Sequence, residues 1–509
     1  MHLNQSDLVT ESTPNSPDGA AKRAVDPTSD SHKHFDLCVI GSGSGLGVMP
    51  PEVTAHWRVA LIDAGIGPGE LFGGTCLNAG CIPSKMFSVP ATISRTPSWS
   101  GEVDVKLGSG SIDFAALQRR TFGRTDAIST SGLEWQLTRD SVEVFRSTAS
   151  FVDEHTLRVG HELITADRFV IAAGSRPRPL DVAGLDEAWL QAYLHTSESI
   201  MRIPQPPHRL VILGGGTEAV EFAHIFDALG SQVTIVNRSS TLLRKMDDDV
   251  AKLITAELGE RMSVRVNQQL TAIEPGTHGG VVVTTEDADG IEYSYEADLV
   301  LSVIGRVPNS DLLNVAAAGV ATDATGFIKH DQCQRTSQPH IFAIGDICNH
   351  QMIKHLANAQ SRTVLAQLLA ELNGTEPSIE DPGQVLPVGI FTSPEIASFG
   401  LTEQQVIQSG VDHVCHIQKY DSTAYGWALN DDKHFVKLIA SLDGRLLGAH
   451  IVGPQATTLL QPLVMYQRFD LDVRAATRQQ FWIHPALTEV IENALLGLAE
   501  KIASVEESK

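Results

Sequence analysis

Two cysteines that lie five positions apart are the residues of this sequence whose type and spacing most suggest chemistry. Cys76 and Cys81 lie in the segment GGTCLNAGCIPSK (residues 73–85), and the 509-residue chain contains only six cysteines. A structural zinc site uses two closely spaced pairs of ligands, whereas the other cysteines are scattered, so we predict no metal site. A structural disulfide would close too short a loop to add much stability. The spacing therefore favours a redox couple.

The chain between these cysteines must depart from a regular helix if the two sulfur atoms are to meet. Residues five apart in a helix lie about 8.5 Å apart at Cα, which is too far for a disulfide. Asn78 and Gly80 lie between the cysteines and would let the backbone distort. A helix N-terminus and the cationic side chain of Lys85 would lower a thiol pKa and favour the reactive thiolate.

Length, composition and charge limit the class of protein. The length predicts roughly two to four domains, and the 42% hydrophobic content is typical of a globular protein. The net charge of −23 disfavours a nucleic acid partner, because phosphate binding needs a basic surface. The low number of cysteines favours a reducing compartment, and we predict a cytoplasmic location.

Residues 1–33 are rich in Ser, Pro and Asp and contain no apolar run. Such a segment cannot bury enough surface to offset the entropy of ordering it, so we predict a disordered tail. A signal peptide would need an apolar stretch, which this segment lacks. No later run of 18 or more apolar residues occurs, which predicts that the chain has no membrane span.

A glycine-rich turn follows a predicted buried strand at residues 35–40. Glycines in such a turn let the backbone approach a pyrophosphate. The candidate contacts are Gly41, Gly43, Ser44 and Gly45. Asp63 ends the next predicted strand, about 20 residues further on, where an acceptor for a ribose hydroxyl is expected. The motif is imperfect, because Leu46 occupies the third glycine position and Pro50-Pro51 should shorten the following helix.

A second copy of the motif occurs in LVILGGGTEAVEFAHIFDALGSQVTIVNRSS (residues 210–240). A predicted strand leads into a turn, and an amphipathic helix and a second strand follow. The turn consists of Gly214, Gly215 and Gly216. Two dinucleotide folds in one chain imply two different dinucleotides.

The end of this second unit indicates which nicotinamide nucleotide it prefers. Asn237 stands where an NAD enzyme keeps an acidic residue, and Arg238 and Arg244 follow. Loss of the carboxylate and gain of guanidinium groups fit a 2′-phosphate, so we predict NADPH. The alternative is that the two arginines are solvated surface charges.

Together these motifs resemble those of the flavoprotein disulfide reductases, the family of glutathione reductase and lipoamide dehydrogenase. The cysteine segment looks like the family's active-site segment. FVIAAGSR (residues 169–176) resembles the segment that leads toward an NADPH domain, and RVPN (residues 306–309) resembles its return. IFAIGD (residues 341–346) resembles the strand whose aspartate, here Asp346, binds the ribityl chain of FAD.

The C-terminal part of the sequence extends the resemblance. His484-Pro485 with Glu489 resembles the acid–base pair that the partner subunit contributes in a homodimer. Segments around Tyr425, Trp427 and His484 are similar to the branch of the family that reduces mycothione, the disulfide of mycothiol. The chain departs from the family at Thr217, where an aromatic residue is usual, and at Glu218, where an apolar residue is usual.

The resemblance implies an α/β fold with two Rossmann-like dinucleotide-binding domains plus a C-terminal α+β dimerisation domain. The expected segments are a disordered tail (1–33), the first part of an FAD-binding domain (34–175), an NADPH-binding domain (176–306), the second part of the FAD-binding domain (307–385) and a dimerisation domain (386–509). Further cofactor contacts are implied at Thr75, Lys85, Glu221, Gly305 and Asp346.

The resemblance also implies a mechanism. Hydride passes from NADPH to FAD, and electrons then reach the disulfide between Cys76 and Cys81. Cys81 faces the flavin, while Cys76 faces the substrate and attacks its disulfide. His484, oriented by Glu489, donates a proton to the leaving thiol. Cys81 then resolves the mixed disulfide.

Three alternatives stay open at this point. An NAD-linked dihydrolipoamide dehydrogenase is disfavoured by Asn237, Arg238 and Arg244. A glutathione or mercuric reductase is a second alternative, although a mercuric reductase would bring extra C-terminal cysteines and the last cysteine here is Cys415. A catalytically idle FAD-binding protein is the third.

Overall fold

Among the residues that the structure describes, two five-stranded parallel sheets and one five-stranded antiparallel sheet organise the chain. The computed structural model describes residues 32–67, 69–182, 188–378 and 385–508. Of the predicted disordered tail, residues 1–31 lie outside the described residues. Lys33, the last residue of the predicted tail, pairs with Ile164 of a neighbouring strand that runs parallel to it.

Nine strands and five α-helices are described between residues 32 and 177. The strands are β1 (Lys33–Phe35), β2 (Leu37–Ile40), β3 (Val59–Ile62), β4 (Val142–Phe145), β5 (Ala149–Phe151), β6 (Thr156–Val159), β7 (Glu162–Ala166), β8 (Phe169–Ile171) and β9 (Ser175–Pro177). The helices are α1 (Pro51–Thr54), α2 (Gly74–Asn78), α3 (Cys81–Ser94), α4 (Thr96–Trp99) and α5 (Phe114–Leu137). As predicted from the two prolines, α1 is only four residues long.

The middle of the chain carries the second parallel sheet and a three-stranded antiparallel sheet. Its elements are α6 (Ala188–Gln191), β10 (Leu194–His195), β11 (Arg209–Leu213), α7 (Thr217–Ala228), β12 (Gln232–Val236), α8 (Asp248–Arg261), β13 (Ser263–Arg265), β14 (Gln268–Pro275), β15 (Val281–Asp287), β16 (Glu292–Ala297) and β17 (Leu299–Ser302). The chain then returns to the first sheet through β18 (Arg306–Pro308), β19 (Ile341–Ala343) and α9 (Lys354–Asn373).

The C-terminal part is an antiparallel sheet with helices packed against it. Its elements are β20 (Val388–Ile390), β21 (Ile396–Gly400), α10 (Glu403–Ser409), β22 (His413–Lys419), α11 (Ala424–Leu429), β23 (Phe435–Ser441), β24 (Leu446–Val452), α12 (Ala456–Arg468), α13 (Val473–Gln479) and α14 (Thr488–Glu507). None of the helices within the described residues is both long and apolar enough to cross a membrane.

Each glycine turn follows the strand of a parallel sheet at which the order of strand addition reverses, so that later strands lie on both sides of it. The strand orders are β19-β8-β2-β3-β4 and β10-β17-β11-β12-β13, and the turns follow β2 and β11. Every residue of β2 and β3 is buried, as expected for parallel strands that are covered on both faces. The predicted α/β fold class is confirmed, whereas the domain boundaries stay predictions.

Helix α8 is held against the C-terminal sheet by buried charges. The side chain of Lys437 on β23 is fully buried, and its Nζ atom lies 2.8 Å from Asp247 and 2.7 Å from Glu403. Asp247 also caps the N-terminus of α8. A second contact is made by His434, whose Nδ1 lies 2.7 Å from Asp431 and whose Nε2 lies 3.3 Å from Glu257 of α8.

The ionisation of His434 should make the free energy of unfolding depend on pH. Burial alone would lower the pKa of His434, but Asp431 and Glu257 outweigh it and raise the pKa to about 9. Because the folded-state pKa is raised, the stabilisation is complete below the unfolded pKa of about 6.5 and is lost as the pH rises through about 9. The contribution at neutral pH is about 2–3 kcal/mol.

We therefore expect His434→Gln to lower the melting temperature at neutral pH and to have a much smaller effect above pH ~9.5. Thermal unfolding measured at both pH values checks this, with His278→Gln, an exposed histidine of the middle part, as control. A difference between wild type and His434→Gln that does not change with pH would contradict the proposed ionisation.

Candidate active site

The first glycine turn has the backbone geometry that a bound pyrophosphate needs. Gly41 directly follows β2 with a φ of +107°, and a Cβ atom there would lie 2.3 Å from the carbonyl oxygen of Ala172. Only glycine fits this position, and ligands of open parallel sheets bind at such switch points. Gly43 and Ser44 continue the turn, and Gly45 begins a 3-10 helix that contains Leu46.

Asp63 lies beside this turn at the end of β3. Its Oδ2 atom accepts a hydrogen bond of 2.8 Å from the Ser42 amide, and its Oδ1 atom lies 2.7 Å from Nη1 of Arg146. Since each carboxylate oxygen can accept more than one hydrogen bond, Asp63 keeps the capacity to accept from a ribose hydroxyl. Sequence reasoning missed Arg146, which is 83 residues away along the chain.

Helix α9, more than 300 residues further along the chain, packs on the first turn. The Nζ atom of Lys354 donates to Oγ of Ser44 at 2.9 Å, and Oγ of Ser361 donates to the Ser44 carbonyl at 3.2 Å. Neither residue was predicted, because no local pattern links positions separated by more than 300 residues. The turn is therefore stabilised by two segments of the first sheet's domain that lie far apart in the sequence.

The cysteine segment packs directly on the first glycine turn. The Gly73 amide donates to Oγ of Ser42 at 2.7 Å. Gly74 has a φ of +75°, and a Cβ atom there would lie 2.7 Å from the Cα atom of Gly43. The double glycine thus lets two backbones touch, which places the start of α2, including Thr75, beside the turn.

The helix is interrupted between the two cysteines. Cys76 lies in α2, which ends at Asn78, and Cys81 is the first residue of α3. The Asn78 side chain is buried and donates to the carbonyl oxygens of Phe72 and Gly74, at 2.9 and 3.0 Å. The predicted distortion is confirmed, and the two thiols come into hydrogen-bond contact as free cysteines.

This contact makes one thiol acidic. The hydrogen bond from Cys81 lowers the pKa of Cys76 to about 7, and the same contact raises the pKa of Cys81. The amide of Cys81 at the start of α3 and the charge of Lys354 also lower the pKa of Cys76. The expectation that Lys85 supplies this charge is wrong: its Nζ atom lies over the ring of Phe391, 3.3 Å from the centroid.

Lys85 instead faces α7. Burial lowers the pKa of Lys85, and the charges of Glu395 and Glu221 oppose this. Burial raises the pKa of Glu221 to about 7, although its Oε1 atom accepts a 2.9 Å hydrogen bond from the Phe391 amide. Helices α3 and α7 therefore bring a cation and a carboxyl group together next to the redox segment.

Two short strands carry the chain between the parallel sheets, and they lie side by side. Strand β9 pairs antiparallel with β18, so both predicted crossing segments meet. Ser175 of β9 donates to Asp346 at 2.8 Å, and Arg306 of β18 donates to Oγ of Ser175 at 2.8 Å. Gly305, with a φ of +116°, leads into β18. The crossing thus joins Asp346 to the second parallel sheet.

The second glycine turn lies against a buried asparagine. The Gly214 amide donates to the Val236 carbonyl at 2.9 Å, and Gly216 caps α7. The side chain of Asn237 donates to the carbonyl oxygens of Ser239 and Thr241. Asn237 therefore shapes the loop, and the following Arg238 and Arg244 are exposed. Neither arginine has an ion pair among the described residues.

His484 and Glu489 lie together at the surface of the C-terminal part. Nδ1 of His484 lies 2.7 Å from Oε1 of Glu489, whose other oxygen accepts from the Ala486 amide. The contact with His484 lowers the pKa of Glu489. The His484 side chain is 72% exposed. Within the described part of the chain, no hydrogen bond or ion pair joins it to either redox cysteine.

Comparison with known proteins identifies the class. The model of the pyridine nucleotide-disulphide oxidoreductase family matches residues 35–363, and that of its dimerisation domain matches residues 386–495. The chain belongs to this family. It is therefore an oxidoreductase that depends on FAD and uses a pyridine nucleotide.

The chain is similar to several characterised relatives. It is 39% identical to the mycothione reductase of Mycobacterium tuberculosis, over 91% of this chain and 99% of that protein. It is 31% identical to the dihydrolipoyl dehydrogenase of the same species, over 91% and 98% of the two chains. The fold matches that of the HOCl-induced flavoprotein disulfide reductase RclA from Escherichia coli, with a TM-score of 0.76, 24% identity, and 91% and 99% of the chains covered.

Proposed function

We propose that this enzyme reduces the disulfide of a low-molecular-weight thiol in the cytoplasm, with mycothione as its preferred substrate. The observation that carries the reductase activity is the contact between Cys76 and Cys81, in which one thiol has a pKa of about 7. The substrate is supported by the 39% identity to a mycothione reductase, against 31% to a dihydrolipoyl dehydrogenase.

In the proposed reaction the two cysteines exchange with the substrate disulfide. The Cys76 thiolate attacks one substrate sulfur, so that a mixed disulfide forms and the other sulfur leaves as a thiolate. Cys81 then loses its proton and attacks the sulfur of Cys76, which releases the second thiol and leaves a disulfide between the two cysteines. FAD, when bound, supplies the chemistry by which the nicotinamide nucleotide reduces that disulfide again.

The residues of both glycine turns are proposed to hold the two nucleotides. For FAD these are Gly41, Gly43, Ser44, Gly45, Asp63, Thr75, Lys85, Gly305 and Asp346; for NADPH they are Gly214, Gly215, Gly216, Glu221, Arg238 and Arg244. The backbone turn at Gly41, which a Cβ atom would fill, and the buried acceptor Asp63 support the FAD assignment.

His484 is proposed to protonate the leaving thiol. Its hydrogen bond to Glu489 holds the ring in place for proton transfer. The exposed side chains around it, including Phe481 and Ile483, support a homodimer in which His484 completes the partner's site. His484 lies within residues 386–495, which match the family's dimerisation domain, and this supports a role for His484 at a contact between subunits.

A steady-state comparison of substrates tests the proposed function. We expect turnover with mycothiol disulfide to exceed that with glutathione disulfide or lipoamide, with NADPH as donor. Lipoamide turnover with NADH as the preferred reaction would instead favour a dihydrolipoyl dehydrogenase. Flavin that is not bleached by either nucleotide would mean an idle FAD-binding protein.

The preference for NADPH predicts the effect of two arginine substitutions. Charge-assisted hydrogen bonds contribute roughly 1.5–3 kcal/mol each, so Arg238→Ala and Arg244→Ala should each raise the KM for NADPH by about tenfold or more. The KM for NADH should hardly change, because NADH has no 2′-phosphate. Arg265→Ala, which removes another exposed arginine of the same part of the chain, is the control. Equal effects on both nucleotides would contradict the assignment.

A further inference from the structure

The helix that follows the first glycine turn is much shorter than the helix that follows the second. A 3-10 helix, Gly45–Val48, starts at the first turn, and the four-residue α1 begins only after Met49 and Pro50. Helix α7 follows the second turn without a break, has 12 residues and takes Gly216 as its N-cap. Peptide dipoles add along a helix, so the first turn receives less positive potential from its own segment than the second turn does.

A lysine from a distant helix places a positive charge at the first turn. The Nζ atom of Lys354, the first residue of α9, donates a hydrogen bond of 2.9 Å to Oγ of Ser44. Ser361 of the same helix donates to the Ser44 carbonyl at 3.2 Å, which holds α9 against the turn. The position of the Lys354 ammonium group is therefore fixed by direct contacts with the turn.

The carboxylates of the first site already have partners, whereas this ammonium group has none. Asp63, which accepts from the amide of Ser42 in the turn, lies 2.7 Å from Arg146, and Asp346 accepts from Ser175 at 2.8 Å. Across the described residues, Nζ of Lys354 has the one hydrogen bond to Ser44 and no ion pair. An ammonium group can donate several hydrogen bonds, so Lys354 keeps donors and an unneutralised charge for an anion at the turn.

We propose that Lys354 is a cofactor-binding residue whose ammonium group pairs with the diphosphate of FAD and replaces the charge that the interrupted helix does not supply. A long helix after a glycine turn normally helps to offset the charge of a diphosphate. At the second turn, where α7 is continuous, no lysine or arginine among the described residues donates a hydrogen bond to Gly214, Gly215 or Gly216. The inference rests on the proposed placement of FAD at the first turn.

Release of FAD from the purified holoenzyme tests this without any disulfide substrate. Serial dilution releases the flavin, and the fluorescence of free FAD gives its Kd. Lys354→Gln keeps a donor for Ser44 but removes the charge, and we expect it to raise the Kd for FAD by about tenfold or more. Lys354→Arg keeps the charge and should stay within about threefold of wild type. Lys329→Gln, which removes an exposed lysine away from the turn, should leave the Kd unchanged.

The variants separate the possible failures. An unchanged Kd for FAD in Lys354→Gln would overturn the proposal, and so would equal weakening in Lys354→Gln and Lys354→Arg, which would indicate packing rather than charge. If Lys354→Gln is purified without flavin, normal flavin content in Lys354→Arg supports the proposal, and loss from both contradicts it. Calorimetric titration with NADP⁺ should give the wild-type Kd in both variants. Weaker NADP⁺ binding with unchanged FAD binding would mean that the proposed placement of the two nucleotides is wrong as well.

Discussion

Cys76→Ser and Cys81→Ser are each expected to lower disulfide turnover by roughly three orders of magnitude or more while FAD stays bound. Neither serine can form the intramolecular disulfide on which the proposed exchange depends. FAD binding should survive, because the contacts of Gly73 and Gly74 with the first glycine turn are made by backbone atoms and by Ser42. Steady-state turnover and the flavin absorbance of the purified variants check both statements.

The two variants should differ in their absorbance. The hydrogen bond with Cys76 raises the pKa of Cys81, so Cys76→Ser removes this effect and favours a Cys81 thiolate. Because Cys81 is the sulfur expected beside the flavin, only Cys76→Ser should show a long-wavelength band without added reductant. Cys333→Ser, which changes a cysteine outside the redox segment, should keep wild-type turnover. Substantial turnover by either redox variant would refute the redox-couple interpretation.

Mixed dimers of Cys76→Ala and His484→Ala subunits are expected to recover about a quarter of wild-type activity, although each variant alone is nearly inactive. The reason is that His484 is exposed and has no contact with its own cysteines among the described residues. Random pairing makes about half of the dimers mixed, and each mixed dimer has one intact site of two. Activity after refolding equal amounts together, with hybrid dimers identified by mass, measures the recovery.

A matched pair of variants controls for nonspecific rescue. Cys76→Ala and Cys81→Ala both damage the redox segment of their own subunit, so their mixed dimers should contain no intact site and should recover nothing. Recovery in this control would mean that the two cysteines come from different subunits. No recovery in the Cys76→Ala and His484→Ala mixture would mean that His484 does not serve the partner's site.

The local motifs of the site were predictable from the sequence because their physical causes are local. Glycines at Gly41 and Gly74 are required by backbone conformations with positive φ and by close backbone approach. The break between Cys76 and Cys81 lies next to Asn78 and Gly80, the two residues at which the sequence predicts a distortion. The strand–turn–helix pattern around Gly214–Gly216 is that of a dinucleotide-binding fold, in which the glycine turn follows the strand where the strand order reverses.

The electrostatics of the site were not predictable in the same way. Lys85 is close to the cysteines in sequence, yet its side chain extends toward Phe391 and Glu221 on other elements. Lys354, far along the chain, acts on the Cys76 thiol instead. A charge acts through distance in space, and the direction of a long side chain depends on the surfaces that pack around it.

The sequence by itself determined the class of chemistry, the two nucleotide folds and the residues that define them, because short-range spacing dictates backbone turns and helix breaks. Only the tertiary structure decided how these parts meet. The link from Asp346 through Ser175 to Arg306 depends on segments up to 171 residues apart. No local pattern encodes such contacts, since they form only when separate sheets pack and the crossing strands β9 and β18 pair.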